Sequence, residues 1–160
     1  MGQNTKAIGI DDISEVNLDI KRILLATDGS APAIMATKYA IALAKVLGAS
    51  LKIIFVDIGE EQISFTDKIV IVDAPKETRR STAGLTIAQI YADKNDINYN
   101  IEIVKGNVAK TIIRTAGDYE ADLIIIGNTG RTGLKRLTLG SVAEAVVKNS
   151  SIPVLVIKGS

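Results

Sequence analysis

The chain has no cysteine and no histidine. The first absence excludes a disulfide framework, thiolate chemistry and a cysteine-held metal. The second removes the usual general base near neutral pH and the commonest metal ligand. A metal is then left to carboxylates or to the phosphates of a ligand. Aromatic residues make up only 4% of the chain, too few for a base-stacking platform. Charge of one sign is lacking too. The 19 basic and 18 acidic side chains leave a net charge of +1, so no bulk attraction to nucleic acid is expected. No apolar run approaches the roughly 18–20 residues that cross a bilayer, so no membrane partner is expected either.

The opening stretch, "MGQNTKAIGIDDISEVNLDIK", has no apolar core and carries Asp11, Asp12, Glu15 and Asp19, so it does not read as a signal peptide. Gly2 follows Met1, but Lys6 stands where an N-myristoylation signal wants Ser or Thr. Residues 1–20 read as an N-terminal extension and 21–160 as one domain of a cytoplasmic protein. A chain of this length buries roughly 68–70% of the surface its unfolded form exposes, so it needs no staple.

What is there is a regular alternation. "RILLAT" (Arg22–Thr27) is an apolar run closed by "DGSAP", which marks a buried strand. In the next segment Ala33, Ala36, Ala40, Leu43, Ala44 and Leu47 recur at helical spacing. Ser30 can cap that helix, Pro32 suits its first turn and Gly48 can end it. "SLKIIFVDI" (Ser50–Ile58) is a second strand. The stretch after it, including "KIVIVD", reads as an insertion near the mouth of the sheet, either a short strand or a loop.

A helix follows over "ETRRSTAGLTIAQIYADKN", despite Gly84 in its interior, with Ala83, Ile87, Ile90 and Tyr91 on one face. "INYNIEIVKG" alternates as a strand. "NVAKTIIRTAGDY" is a short helix with Asn107 as cap and Ile112 and Ile113 inward. "ADLIIIG" is the fourth strand, "GSVAEAVVKNS" the last helix and "IPVLVIKG" the last strand. Strands that are continuous apolar runs, alternating with helices, mean an α/β fold: a parallel sheet covered on both faces. In such sheets ligands sit beyond the carboxyl ends of the strands. "ATDGS" and "GNTGRTG" both lie there, and they share one crevice if the first and fourth strands are neighbours.

The segment "GNTGRTGLKRLTLGS", Gly127 to Ser141, holds four glycines, three basic residues and no acid. Glycines permit close approach of the backbone to a ligand. The helix that follows offers unpaired N–H groups and partial positive charge, so an anion can be cradled there. Ser141 can cap that helix or donate its hydroxyl to a phosphate, and Arg131, Lys135 and Arg136 can add charge. The other reading is a long surface loop with ordinary glycine turns and a solvated basic face. Neither GxxxxGK[ST] nor GxGxxG occurs. A receiver domain is also disfavoured: Asp11, Asp12 and Asp57 form no coherent acidic set. For Asp28 the plain alternative is turn chemistry ahead of the Ser30 cap, and for Val56 and Ile126 it is core packing.

Gly127, two residues, Gly130, nine residues, then Gly140-Ser141 resembles the G-x2-G-x9-G-[ST] pattern of the universal stress protein family. "ILLATDGS" and the whole C-terminal half from Gly106 resemble it as well, so the likeness runs over about residues 20–158. The resemblance implies a flavodoxin-like, Rossmann-like three-layer sandwich with five parallel strands in order 3-2-1-4-5. It implies a homodimer joined through the last strand near Val154 and Val156, acting on a downstream protein partner in a stress response.

Within that family the branch that keeps the glycine motif binds ATP, so ATP (or AMP or ADP), with Mg²⁺ or Mn²⁺, is the implied cofactor. Carried over residue by residue, Asp28 lies near the ribose and phosphates, with Ala26 and Thr27 flanking the nucleoside. Val56 meets adenine through its main chain. Ile126, Gly127, Asn128, Gly130, Arg131, Thr132 and Gly133 wrap the ribose and phosphates, and Gly140, Ser141 and Val142 receive the phosphate tail. A metal would reach Asp28 only through Mg-ATP. Asn128-Thr129 departs from the Ser-His or Ser-Arg common in the family. No catalytic residue is implied. Slow ATP hydrolysis or autophosphorylation is the alternative to binding alone, and a dimer scaffold without nucleotide is a third reading.

Overall fold

The computed structural model describes residues 17–58, 76–130 and 139–159, with side chains from residue 82 onward in the helix that opens the second of these spans. Five strands and four helices alternate along them. They are β1 (Arg22–Ala26), α1 (Ala31–Leu47), β2 (Ser50–Asp57), α2 (Lys76–Lys94), β3 (Tyr99–Lys105), α3 (Val108–Asp118), β4 (Leu123–Gly127), α4 (Ser141–Asn149) and β5 (Val154–Ile157). All strand pairs are parallel, in the order β3-β2-β1-β4-β5. This is the flavodoxin-like α/β sandwich, in the strand order that the family resemblance implies. The "KIVIVD" stretch and the anticipated N-terminal extension before residue 17 lie outside the described residues.

The two-residue period of the strands divides the core. Ile23, Leu25, Leu51, Ile53 and Ile125 point to one face, under α1 and α2. Leu24, Ile54, Val56, Ile124 and Ile126 point to the other, under α3 and α4. Both faces are covered, so the central strands cannot alternate apolar with polar. Leu24, Leu25, Ile53, Ile54, Ile124 and Ile125 are fully buried, each worth about 1.5–3 kcal/mol of transfer free energy.

Local signals set the helix ends. Ser30 accepts from the Ala33 amide at the start of α1, and Gly48 closes it in the left-handed conformation. Asn107 caps α3 by accepting from the Lys110 amide. The buried face of α1 runs through Ala33, Ala36, Thr37, Ala40, Ile41 and Ala44, whereas Leu43 is only half-buried and Leu47 is exposed. The buried Thr37 hydroxyl is satisfied by donating to the Ala33 carbonyl.

The expected face of α2 needs correction. Ala83 and Ile90 are exposed, and Thr82, Gly84, Leu85, Ala88 and Ala92 turn inward. Small residues let this helix lie close to the sheet and α1, so bulk was a poor guide to which side faces in.

The start of the sheet is tied by Asp122. Its Oδ2 accepts from the amides of Lys21 and Arg22 at 2.9 and 2.8 Å. The Lys21 amide above all holds this carboxyl below the usual carboxylate range; burial is the next effect and opposes it, and the Arg22 amide and the two nearby cations lower it further. A lowered folded value stabilises the protein above the unfolded pKa of about 3.9 and stops doing so as pH falls through the folded value. Asp122→Ala is expected to cost about 1–2 kcal/mol at pH 7. Urea titrations should show that difference shrinking below about pH 4.

Candidate functional site

Strand order brings the ends of β1 and β4 side by side at the point where the connections reverse direction, with β2 next to β1. A cleft of 480 Å³ opens there. β1 and its turn give it Ala26, Thr27 and Asp28. β2 gives Phe55, Val56 and, just beyond its end, Ile58. β4 and the following turn give Ile126, Gly127, Asn128, Thr129 and Gly130. The entry to α4 gives Leu139, Gly140, Ser141, Val142 and Ala143.

Every site residue expected from the sequence that lies among the described residues lines this cleft: Ala26, Thr27, Asp28, Val56, Ile126, Gly127, Asn128, Gly130, Gly140, Ser141 and Val142. Arg131, Thr132 and Gly133 lie outside the described residues, as do Lys135 and Arg136. Val56 and Ile126 are both core and wall: each packs in the cluster under α3 and α4, and each faces the cleft.

The β1 turn is built from short side-chain bonds. The Thr27 hydroxyl accepts from the Gly29 amide at 3.3 Å, and Asp28 Oδ1 accepts from the Ser30 amide at 3.0 Å. Gly29 takes a positive φ of 76°, which closes the turn. The turn chemistry anticipated for Asp28 is therefore present and uses one carboxylate oxygen. The other, Oδ2, stands 2.9 Å from where a Cβ on Gly130 would sit. Asp28 thus links the turn after β1 to the glycine segment after β4.

At α4 the N-cap is Gly140, with no side-chain cap. Ser141 is already helical, so it does not cap the helix, and its place is in the cleft lining. Gly140 donates to the Asn128 carbonyl at 2.7 Å, and a Cβ on Gly140 would lie 3.0 Å from that oxygen. The segment after β4 is thereby folded back onto the helix start. The first turn of α4 meets the cleft with no side-chain cap from its N-cap residue, and helix N-terminal amides attract an anion. Glu144 in that turn pairs with Lys148 at 2.7 Å, and this hydrogen bond and charge hold its carboxyl below the usual range.

Asn128, one of the two departures from the family pattern, is structural at its side chain. Its Oδ1 accepts from the Gly159 amide at 3.4 Å, and its own amide donates to the Ile157 carbonyl at 2.8 Å, tying the segment to the end of β5.

The sequence did not point to Ala33, Phe55, Ile58, Val108, Ile112, Leu139 and Ala143, which also line the cleft, as does Thr129 of the expected glycine segment. Val108 and Ile112 are one helical turn apart on α3. Their only signal was position near the start of a helix that follows a strand. The cleft therefore has an apolar wall from β2, β4 and α3, and a polar end at Asp28, Ser141 and the start of α4. Among the described residues no group of three or more acidic side chains is placed to hold a metal ion.

A parallel sheet with such a cleft at its switch point is the open α/β architecture in which ligands sit beyond the carboxyl ends of the strands. The chain belongs to the universal stress protein family, whose model matches residues 19–158. It is 34% identical over 148 residues to Universal stress protein MJ0531 of Methanocaldococcus jannaschii, covering 86% of this chain and 82% of that one. It is similar to the solved structure of MJ0577 from the same organism, with a TM-score of 0.67 and 28% identity over 89% of this chain and 99% of that one. It shares its fold with a universal stress protein solved in complex with cAMP, with a TM-score of 0.66 and 22% identity over 88% and 98% of the two chains.

Proposed function

We propose that this protein binds an adenine nucleotide, ATP in the first place, and works as a homodimeric regulator whose occupancy is read by a partner protein. The observation that carries the reading is the division of the cleft. A planar, weakly polar base suits the apolar wall of Val56, Val108, Ile112 and Ile126, while a phosphate chain suits the uncapped start of α4 with Ser141. Asp28, at the same polar end, is suited to the ribose and phosphates. The relative solved with cAMP carries an adenine nucleotide on the same fold.

Among the described residues Asp28 is the one acidic side chain in the cleft lining. A single carboxylate fits a Mg²⁺ or Mn²⁺ that arrives on the nucleotide's phosphates and does not by itself make a metal site. With no histidine in the chain, a binding role is favoured over turnover, because phosphoryl transfer needs an oriented nucleophile and a positioning group besides charge neutralisation. For the dimer, β5 is an edge strand of apolar sequence, Val154–Ile157, whose first three residues are only half-buried. Pairing of β5 with its copy through Val154 and Val156 would cover that edge.

The test is mass spectrometry of whatever the freshly purified protein releases on denaturation, followed by calorimetry with Mg-ATP. Adenine nucleotide near one per chain, or saturable Mg-ATP binding by protein stripped of ligand, is the expected result. Neither release nor binding at millimolar Mg-ATP would overturn the reading in favour of a scaffold. Catalytic accumulation of ADP would replace a binding module with an enzyme.

A further inference from the structure

Gly84 stands in the interior of α2, where a glycine weakens a helix relative to alanine. Nothing in the helix itself calls for it: α2 is regular through this position, and Gly84 does not have a positive φ. The reason lies across the interface. A Cβ built on Gly84 would stand 2.7 Å from the Gly29 nitrogen, 2.8 Å from the Thr27 hydroxyl oxygen and 2.9 Å from the Gly29 Cα. Real Cβ atoms do not approach other heavy atoms so closely. Two of the three atoms are main chain, so no rotamer change relieves the contact. The backbone of α2 therefore rests directly on the turn after β1.

That turn has little room to yield. Thr27 is buried and its amide donates to the Ile54 carbonyl. The Gly29 amide is held by the Thr27 hydroxyl. The Ser30 amide is held by Asp28, and Ser30 caps α1. A push at Gly29 passes to the neighbouring Asp28, whose second oxygen faces Gly130 across the cleft. Among the described side chains of α2 none lines the cleft, and this contact joins the helix to the turn that carries Asp28.

The geometry points to Gly84 as a positioning residue: close packing of α2 on the Thr27–Gly29 turn sets where the Asp28 carboxylate stands in the cleft, and so tunes affinity for the ribose and phosphates of the nucleotide. The role in affinity rests on the nucleotide reading above; the role in placing Asp28 does not.

The first measurement is ligand-free. In amide NMR spectra of the whole chain, Gly84→Ala should move the Asp28 and Gly29 signals and leave Val154 in β5 in place. Unmoved Asp28 and Gly29 signals would overturn the inference, whatever the protein binds. Should Gly84→Ala fail to fold, the reciprocal change decides. Asp28→Ala alters only a half-buried turn, and it should move the Gly84 amide; a Gly84 signal that does not respond sinks the inference.

The second measurement is a double-mutant cycle with Mg-ATP as the probe. Gly84→Ala should weaken binding about tenfold in the wild-type background and have little effect in the Asp28→Ala background. Its effect on melting temperature should be similar in both. An equal loss of affinity in both backgrounds would show that Gly84 does not act through Asp28. A wild-type protein that fails to bind Mg-ATP would remove the nucleotide reading and the affinity role, while the ligand-free spectra still decide the placement of Asp28.

Discussion

Gly130→Val is expected to weaken Mg-ATP binding at least a hundredfold, about 2.7 kcal/mol, while leaving the melting temperature within a few degrees of wild type. Gly130 is exposed at the end of the described turn after β4, and its φ lies outside the left-handed region. An L-residue is therefore tolerated by the backbone, and a surface change of this kind costs within about 0.5 kcal/mol of stability. The cleft is where the side chain does harm. The first carbon alone would stand 2.9 Å from Asp28 Oδ2, and two more methyl groups would follow it into the space between Asp28 and the start of α4. The carboxylate and the incoming group would then compete for one volume.

Gly127 makes the contrast. A Cβ there would stand 2.9 Å from the main chain of Pro32 and Ala33, so Gly127→Val forces β4 away from α1 and harms the fold as well as the site. Calorimetry and thermal melts on the two variants separate the cases. Affinity within threefold of wild type in Gly130→Val would remove the glycine segment from the site.

The framework of this fold is legible because each of its signals is local. Buried strands announce themselves as apolar runs such as "RILLA" and "LIIIG". Ser30, Gly48 and Asn107 act at the helix ends where their side chains or backbone freedom are needed. Signals that depend on what lies across an interface were read less well. Ile90 reads as a core residue of α2 and is exposed, while Gly84 reads as a weakness in that helix and stands where any Cβ would strike the cleft turn.

The site divides in the same way. Glycine spacing and the turn after β1 were visible because polar and glycine residues stand out between apolar runs. Phe55, Val108, Ile112 and Leu139 were not, since an apolar cleft wall and an apolar core have the same composition. Ser141 and Gly140 were one position out of role, because Ser is the commoner N-cap and only the backbone angles show that glycine holds that place.

The largest stability loss is expected from Ile124→Ala. Ile124 is fully buried as the second residue of β4, pairing with Leu24 of β1 on one side and Val154 of β5 on the other. It belongs to the cluster that joins the sheet to α3 and α4. Truncation removes three carbons from a site closed by main chain on both edges, so the cavity cannot collapse fully. A cost of about 2–5 kcal/mol follows, a large share of the roughly 5–15 kcal/mol that holds such a chain folded. In a chain of this size each kcal/mol lowers the melting temperature by about 2–4 °C.

The same strand ends at Gly127 in the cleft, with Ile126 in its wall. Yet the main-chain ladder to β1 and β5 remains in the variant, so the folded fraction should keep its geometry. Ile124→Ala should accordingly bind Mg-ATP within about threefold of wild type at temperatures well below its melting point, and saturating Mg-ATP should raise that melting point again. Val46, 82% exposed on α1, is the control: Val46→Ala should change stability by less than about 0.5 kcal/mol. If Ile124→Ala cost no more than Val46→Ala, then β4 would not be the internal, doubly covered strand that places the glycine segment.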